Sequence, residues 1–257
     1  MNLRRLEEIA LNASGPANPR FFDGWMLGFT PGKSKRVRSV NPFFGSSLPL
    51  ETKFDTCKAI YAKAGLPCII RLTPFAQPPE LEDWLAAQGY ERFDDTMVMV
   101  RSLEDWSDER VKAPPGFPRC VELDLFEWTV ETQDVRSLSD DQVRRLLDRQ
   151  ELLHLSGCGM AMKSRGALVA WGMAQVEDGW AGLYNIETRA ENRRSGLARR
   201  VVSALLSWSH RHGAAAAYLQ VTAENEAAIP LYQALGFSEA YRYWYRALPE
   251  DVAGERR

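Results

Sequence analysis

The amino-acid sequence predicts an α/β (α+β) protein made of two copies of one fold, and three observations carry that expectation. Strand-like and helix-like patterns alternate along the chain. One offset of 147 residues brings Gly89-Tyr90 onto Gly236-Phe237, Leu72 onto Leu219 and the helical stretch 52–64 onto 199–211, and it puts Trp25 within one residue of Trp171. The second copy also holds a strand, a glycine-bearing polar loop and a helix in direct succession, from Gly182 to His212. With 257 residues, 45% of them hydrophobic, the chain is long enough for two modest cores. The expected division is a first domain at 1–100, a linker at 101–119 and a second domain at 120–257.

In chain order, an amphipathic helix is expected from Leu3 to Ala13, closed by Ser14-Gly15-Pro16. Strands at 24–29 and 36–41 follow, joined by a hairpin turn at Pro31-Gly32-Lys33. A helix at 50–64 stops at Gly65, a short strand covers 68–72, a helix runs from 79 to 88, and strand material fills 92–100. Charge followed by proline, ending in Pro114-Pro115-Gly116-Phe117-Pro118, reads as the linker. The second copy opens with a strand at 120–125 and helical material at 132–153, then a strand pair at 159–163 and 167–176. After the central strand and long helix comes a strand at 216–221, a helix from Asn225 to Leu235, and an alternating aromatic strand at 241–245. The polar tail beyond Pro249 is expected to be loose.

Net charge is −2, so no global field draws nucleic acid or an anionic membrane, and neither is expected as a partner. The dense basic patch is local: five arginines stand between residues 189 and 200 against the single Glu191. Cys57, Cys68, Cys120 and Cys158 are scattered, and His154, His210 and His212 lack ligand spacing, so free thiols and no metal are expected. The first ten residues mix acids into a helical pattern and lack the apolar run of a signal peptide, and no stretch reaches transmembrane length; a cytoplasmic protein is expected.

A strand running through a glycine loop into a helix is how a chain seats phosphate. The first amides of the helix lack helical acceptors and carry partial positive charge. Arg193, Arg194, Ser195, Gly196, Leu197, Ala198 and Arg199 make up that expected seat. The first copy has Ser46 to Glu51 at the equivalent positions, with no arginine or glycine, and Leu85 where the second has Tyr232. Its expected role is structural, or to shape the cleft of its neighbour.

Arg193-x-x-Gly196-x-Ala198, followed about thirty residues later by Asn225-x-x-Ala228-x-x-Leu231-Tyr232-x-x-x-Gly236-Phe237, resembles the GNAT superfamily of N-acetyltransferases in its coenzyme A loop and catalytic helix. The resemblance implies two GNAT-like domains, the first degenerate. Each would hold a twisted mixed, mainly antiparallel sheet flanked by helices, with a splayed parallel strand pair at the cofactor site. It implies acetyl-coenzyme A as co-substrate, no metal, and a small-molecule or peptide amine as acceptor. Direct transfer in a ternary complex is the expected course.

The resemblance assigns backbone amides of Ile186 and Thr188 to the thioester carbonyl and pantetheine, and Asn225 to the cofactor side. Tyr232 is expected to protonate the leaving thiolate, since a phenol with an ordinary pKa of about 10 stays protonated at neutral pH. The acceptor amine must also lose a proton. Glu187 is the best-placed carboxylate, sharing a face with Asn185 and Leu183 by strict alternation; Gln220, where some family members carry glutamate, cannot act as a base. A non-catalytic acyl-coenzyme A binding protein is the alternative.

Overall fold

The structure is a computed structural model that describes residues 2–16, 18–30, 34–107 and 117–255. In chain order its elements are α1 (Leu3–Ser14), β1 (Arg20–Phe22), β2 (Trp25–Leu27), β3 (Val40–Pro42), α2 (Leu50–Lys63), β4 (Ile70–Leu72), α3 (Leu81–Ala87) and β5 (Glu91–Ser102). They continue as β6 (Cys120–Leu123), α4 (Leu125–Glu131), α5 (Asp140–Leu153), β7 (Ser156–Ser164), β8 (Ala167–Glu177), β9 (Trp180–Thr188) and α6 (Leu197–Arg211). The last are β10 (Ala216–Thr222), α7 (Ile229–Ala234), β11 (Ser238–Ala247) and α8 (Pro249–Glu255). The chain forms two compact units: Met1–Val98 with Thr222–Glu224 and Ala240–Arg257, and Met99–Val221 with Asn225–Glu239.

In the first unit, α1 forms because Leu6, Ile9 and Ala10 make one apolar face and both ends are capped. Asn2 accepts the Arg5 N–H at 3.2 Å, and Gly15, at φ 52°, returns its N–H to Leu11 O at 2.8 Å. The strands lie in the order β1-β2-β3-β4-β11-β5, with β3 and β4 parallel and the registered pairs β1/β2, β2/β3 and β4/β11 antiparallel. Trp25, Phe54, Tyr61, Ile70, Leu72 and Leu85 fill the core, the Trp25 and Phe54 rings meeting edge to face at 5.4 Å. A buried ion pair joins Arg71 to Glu7, and Tyr241 donates its hydroxyl to the same carboxylate.

The second unit orders its strands β5-β10-β9-β8-β7-β6, with β9 and β10 parallel and β9/β8, β8/β7 and β7/β6 antiparallel. Its longest helix, α6, buries Leu197, Val201, Leu205 and Trp208 along one side. The offset of 147 reappears in individual hydrogen bonds. Tyr90 N–H donates to Leu85 O at 3.0 Å after Gly89 (φ 79°), and Phe237 N–H donates to Tyr232 O at 3.0 Å after Gly236 (φ 87°).

Several expectations shift. The first hairpin is shorter, with Trp25 opposite Pro42, because a 3-10 turn at Lys35–Val37 takes up the start of its second strand; β1 went unread, and Pro31-Gly32-Lys33 lies outside the described residues. Residues 132–153 are not one helix. A new one starts at Asp140 behind a capping box in which Ser139 and Gln142 bond reciprocally. The tail is ordered as α8, with Val252 buried and Glu255 paired to Arg38 and Lys35. Of the expected linker, Arg101 and Ser102 finish β5 and Trp106 is buried, while 108–116 lie outside the described residues.

In the stretch Ser46–Glu51, equivalent by offset to Arg193–Ala198, an anion is already present. The carboxylate of Asp23, not Glu51, accepts the N–H of Ser47 at 2.9 Å and of Leu48 at 3.1 Å. Lys53, with 0% exposure, backs it at 3.3 Å.

Candidate active site

The parallel ladder between β9 and β10 runs from Trp180↔Ala216 to Leu183↔Leu219 and stops, although β9 continues to Thr188 and β10 to Thr222. Beyond Leu183 the two strands part. The edge of β9 turned toward β10 therefore carries backbone groups that this ladder leaves unbonded.

On its other edge β9 stays paired with β8, but with an irregularity. Tyr184 stands opposite Met173 and Glu187 opposite Trp171, three steps on β9 against two on β8. Asn185 sits inside this bulge at φ 50°, a conformation asparagine tolerates better than most residues. The extra residue reverses the faces. Ile186 turns toward α6, since a Cβ built on Gly172 would meet Ile186 Cγ1 at 3.2 Å and Val201 Cγ1 at 3.0 Å. Glu187 takes the face of Trp171, which clusters with Trp128, Met173 and Tyr184. Strict alternation grouped Glu187 with Leu183 and Asn185, and this is corrected: Leu183 lies across the sheet, while Asn185 reaches Met173 Sδ at 3.5 Å.

After Thr188 the chain makes a 3-10 turn at Ala190–Asn192 and enters the stretch expected to seat phosphate. Arg194 at φ 58° and Gly196 at φ 81° are both left-handed, and Ser195 Oγ donates to Asn192 O. Gly196 is the N-cap of α6 and offers no side chain, so the first-turn amides of Leu197, Ala198 and Arg199 are uncapped. A Cβ at Gly196 would come no nearer than 4.0 Å to Phe117; the glycine is required by its φ rather than by crowding. Arg193, Arg194, Ser195 and Arg199 are exposed, Ala198 is half-buried, and the Leu197 side chain is in the core, leaving only its main chain to serve a ligand.

The helix expected from Asn225 starts later. Asn225 Oδ1 accepts the Ala228 N–H at 3.2 Å, closing a turn, and the helix begins four residues on at Ile229, with Pro230 in its first turn. Tyr232 is buried, edge-on to Phe237 at 6.1 Å, and burial pushes its phenol up to about 12.

Glu187, Thr188 and Arg193 come together in a cleft of 380 Å³, lined also by Asp134, Val135, Trp171, Arg189 and Ala190; Tyr232 and Asn225 do not line it. Burial lowers the Arg136 guanidinium from its ordinary range, with the charge of Glu187 opposing that shift. Sequence reasoning missed Asp134 and Trp171. Nothing in a strand pattern reports a bulge, and Asp134 sits in an irregular stretch where the sequence predicts helix. It also missed Arg101, whose guanidinium donates to Leu235 O at the end of α7 beside a 590 Å³ cleft. Cys57, Cys68 and Cys158 are buried free thiols. Among the described residues no cluster of three or more His, Cys, Asp or Glu would hold a metal, and no helix is long and apolar enough to cross a membrane.

The parted strands and the uncapped, arginine-flanked N-terminus of α6 suit a pantetheine chain with a diphosphate. The family described as "Probable histone acetyltransferase Rv0428c C-terminal" matches residues 1–246. The "Uncharacterized N-acetyltransferase YobR" of Bacillus subtilis is 28% identical over 253 residues, 95% of this chain and 98% of that protein. The "[Ribosomal protein bS18]-alanine N-acetyltransferase" of Escherichia coli is 37% identical over 79 residues, 31% of this chain and 53% of that protein. Among solved structures, a GCN5-related N-acetyltransferase from Kribbella flavida superposes with TM-score 0.67 at 15% identity, covering 96% of this chain and 95% of the other. A tandem GNAT protein from the clavulanic acid biosynthesis pathway superposes with TM-score 0.63 at 16% identity, covering 81% and 74%. These two likenesses establish the fold. The chain belongs to the Rv0428c C-terminal acetyltransferase family and has the GNAT fold.

Proposed function

We propose that the chain is an N-acetyltransferase that moves an acetyl group from acetyl-coenzyme A to a primary amine by direct transfer in a ternary complex. The observation that carries this reading is the parting of β9 from β10 after Leu183, next to the uncapped N-terminus of α6. The names of the Bacillus and Escherichia relatives agree with it. The second unit carries the chemistry; in the first, Asp23 already takes the equivalent loop amides.

Main-chain amides from Ser195 to Arg199 hold the diphosphate, with Arg193, Arg194 and Arg199 adding charge at the rim. Free amides of Ile186 and Thr188 on the parted edge stabilise the oxyanion that forms when the amine nitrogen attacks the thioester carbonyl. Tyr232, protonated at any physiological pH with its phenol near 12, gives its proton as the carbon–sulfur bond breaks. Glu187, itself exposed and brought by the bulge to the face of Trp171, receives the ammonium proton; Gln220 cannot.

The test is release of free thiol from acetyl-coenzyme A with a panel of amines, alongside calorimetric binding of the cofactor. Turnover with at least one amine is expected. Tight binding with no turnover on any amine makes the protein an acyl-coenzyme A binder instead.

A further inference from the structure

The repeat and the compact units divide the chain differently. The offset of 147 carries Glu91, the first residue of β5, onto Ser238, the first residue of β11, and it carries β4 onto residues 217–219 inside β10. β5 and β11 are thus the equivalent last strands of the two copies. Neither lies beside a strand of its own copy. In the order β4-β11-β5-β10, β11 has only first-copy strands as neighbours and β5 only second-copy strands. Trp244 stands opposite Leu72, Tyr245 opposite Arg71 and Arg246 opposite Ile70. Leu103, next after β5, donates its N–H at 2.8 Å to the oxygen of Ala215, the residue before β10.

The exchanged strands carry core and charge as well as ladder bonds. In the first unit β11 buries Tyr241, Tyr243 and Tyr245; Tyr241 donates to Glu7, the Arg71 guanidinium lies 3.8 Å from the centre of the Tyr243 ring, and Arg246 pairs with Glu82 at 2.7 Å. In the second unit the end of β5 and the turn after it bury Met99, Leu103 and Trp106, and Arg101 donates to Leu235 O at the end of α7. α7, with Tyr232, belongs to the second unit, yet the chain on either side of its stretch, Thr222–Glu224 and Ala240–Arg257, belongs to the first. On the side that enters it, Ala223 N–H donates to Asp95 O at 2.8 Å.

We propose that the two copies have exchanged their last strands and are each other's obligate partner. The first copy, which has no phosphate seat, supplies β5 to the catalytic unit and anchors both flanks of α7. Taking a strand from the middle of a sheet leaves two rows of unbonded main-chain groups and uncovers both faces, so neither copy keeps its core without the other. The link to catalysis rests on the acetyltransferase reading; the exchange itself does not.

The test uses the full chain with a recognition site for a sequence-specific protease in place of residues 108–114, folded first and cut afterwards. Each compact unit contains parts of both fragments. Unfolding of the cut protein then includes dissociation, and its melting temperature is expected to rise by about 3 °C per tenfold increase in concentration, against no change for the uncut control. At the urea concentration where the fragments separate on gel filtration, the cut protein is expected to lose coenzyme A binding that the uncut chain retains. In the uncut chain, nuclear Overhauser contacts are expected between Ile70–Leu72 and Trp244–Arg246. Melting independent of concentration, a second fragment that binds coenzyme A alone, or contacts of β11 with β10 in place of β4 overturns the proposal. If the uncut chain binds no coenzyme A, the acetyltransferase reading falls, while melting and Overhauser contacts still decide the exchange.

Discussion

Arg101 donates its guanidinium N–H to the carbonyl oxygen of Leu235, the residue that ends α7 three positions after Tyr232. The same group stacks over Trp106 at 4.7 Å, and Trp106 Nε1–H donates to Ser207 Oγ at 2.9 Å, which ties the end of α7 to the middle of α6. Arg101→Ala is therefore expected to lower stability by about 2 kcal/mol, as loss of a buried charge-assisted bond does, and to lower kcat more than it changes KM for acetyl-coenzyme A. Denaturant unfolding and steady-state kinetics check both, and an unchanged midpoint contradicts the brace.

Tyr232→Phe is expected to reduce kcat by about 10² or more while leaving cofactor affinity nearly intact, the pattern of a lost proton donor. Because burial holds the phenol near 12, kcat should show no alkaline loss from this group below that pH. The sign for stability follows. The folded phenol holds its proton more tightly than the unfolded one at about 10, so its contribution is complete below 10 and is lost as pH rises toward 12. An alkaline limb near 8 that vanishes in Tyr232→Phe contradicts this environment.

Much of this was legible in the sequence, for local reasons. The ends of α1 are written in Asn2 and Gly15, and the turn after α7 in Gly236. The start of α6 was visible because glycine at 196 answers a backbone demand. Features set by distant partners were not. The bulge at Asn185 shows only against β8, and Val252 orders the tail only because it is buried. The break before α5 is written in Ser139 and Gln142, whose spacing is that of a capping box. Glu7 and Arg71, 64 positions apart, look like surface charges until the fold buries them together.

Gly196 separates conformation from crowding. A side chain has room there, but φ is 81°. Gly196→Val should weaken acetyl-coenzyme A binding by at least 10²-fold, whereas Gly196→Asn, which tolerates the left-handed region, should retain most of it. Equal losses in the two variants, measured by calorimetry, point to crowding by the ligand instead.

In the first unit, burial alone would raise the Glu7 carboxyl, but the charge and bonds of Arg71 and the bond from Tyr241 outweigh it and hold the pKa below the usual range. That stability is present above the ordinary carboxylate pKa and is lost as pH falls through the depressed folded value. Arg71→Ala strands a buried carboxylate and should cost about 3–5 kcal/mol at pH 7, falling in acid as Glu7 protonates. A cost independent of pH contradicts the pairing.

The most direct test of the central claim is an amide NMR titration with acetyl-coenzyme A. The account predicts that the largest shifts fall on the backbone N–H groups of Ser195 to Arg199 and of Tyr184 to Thr188, the helix start and the parted edge of β9. Saturable binding with those two segments unmoved would contradict it.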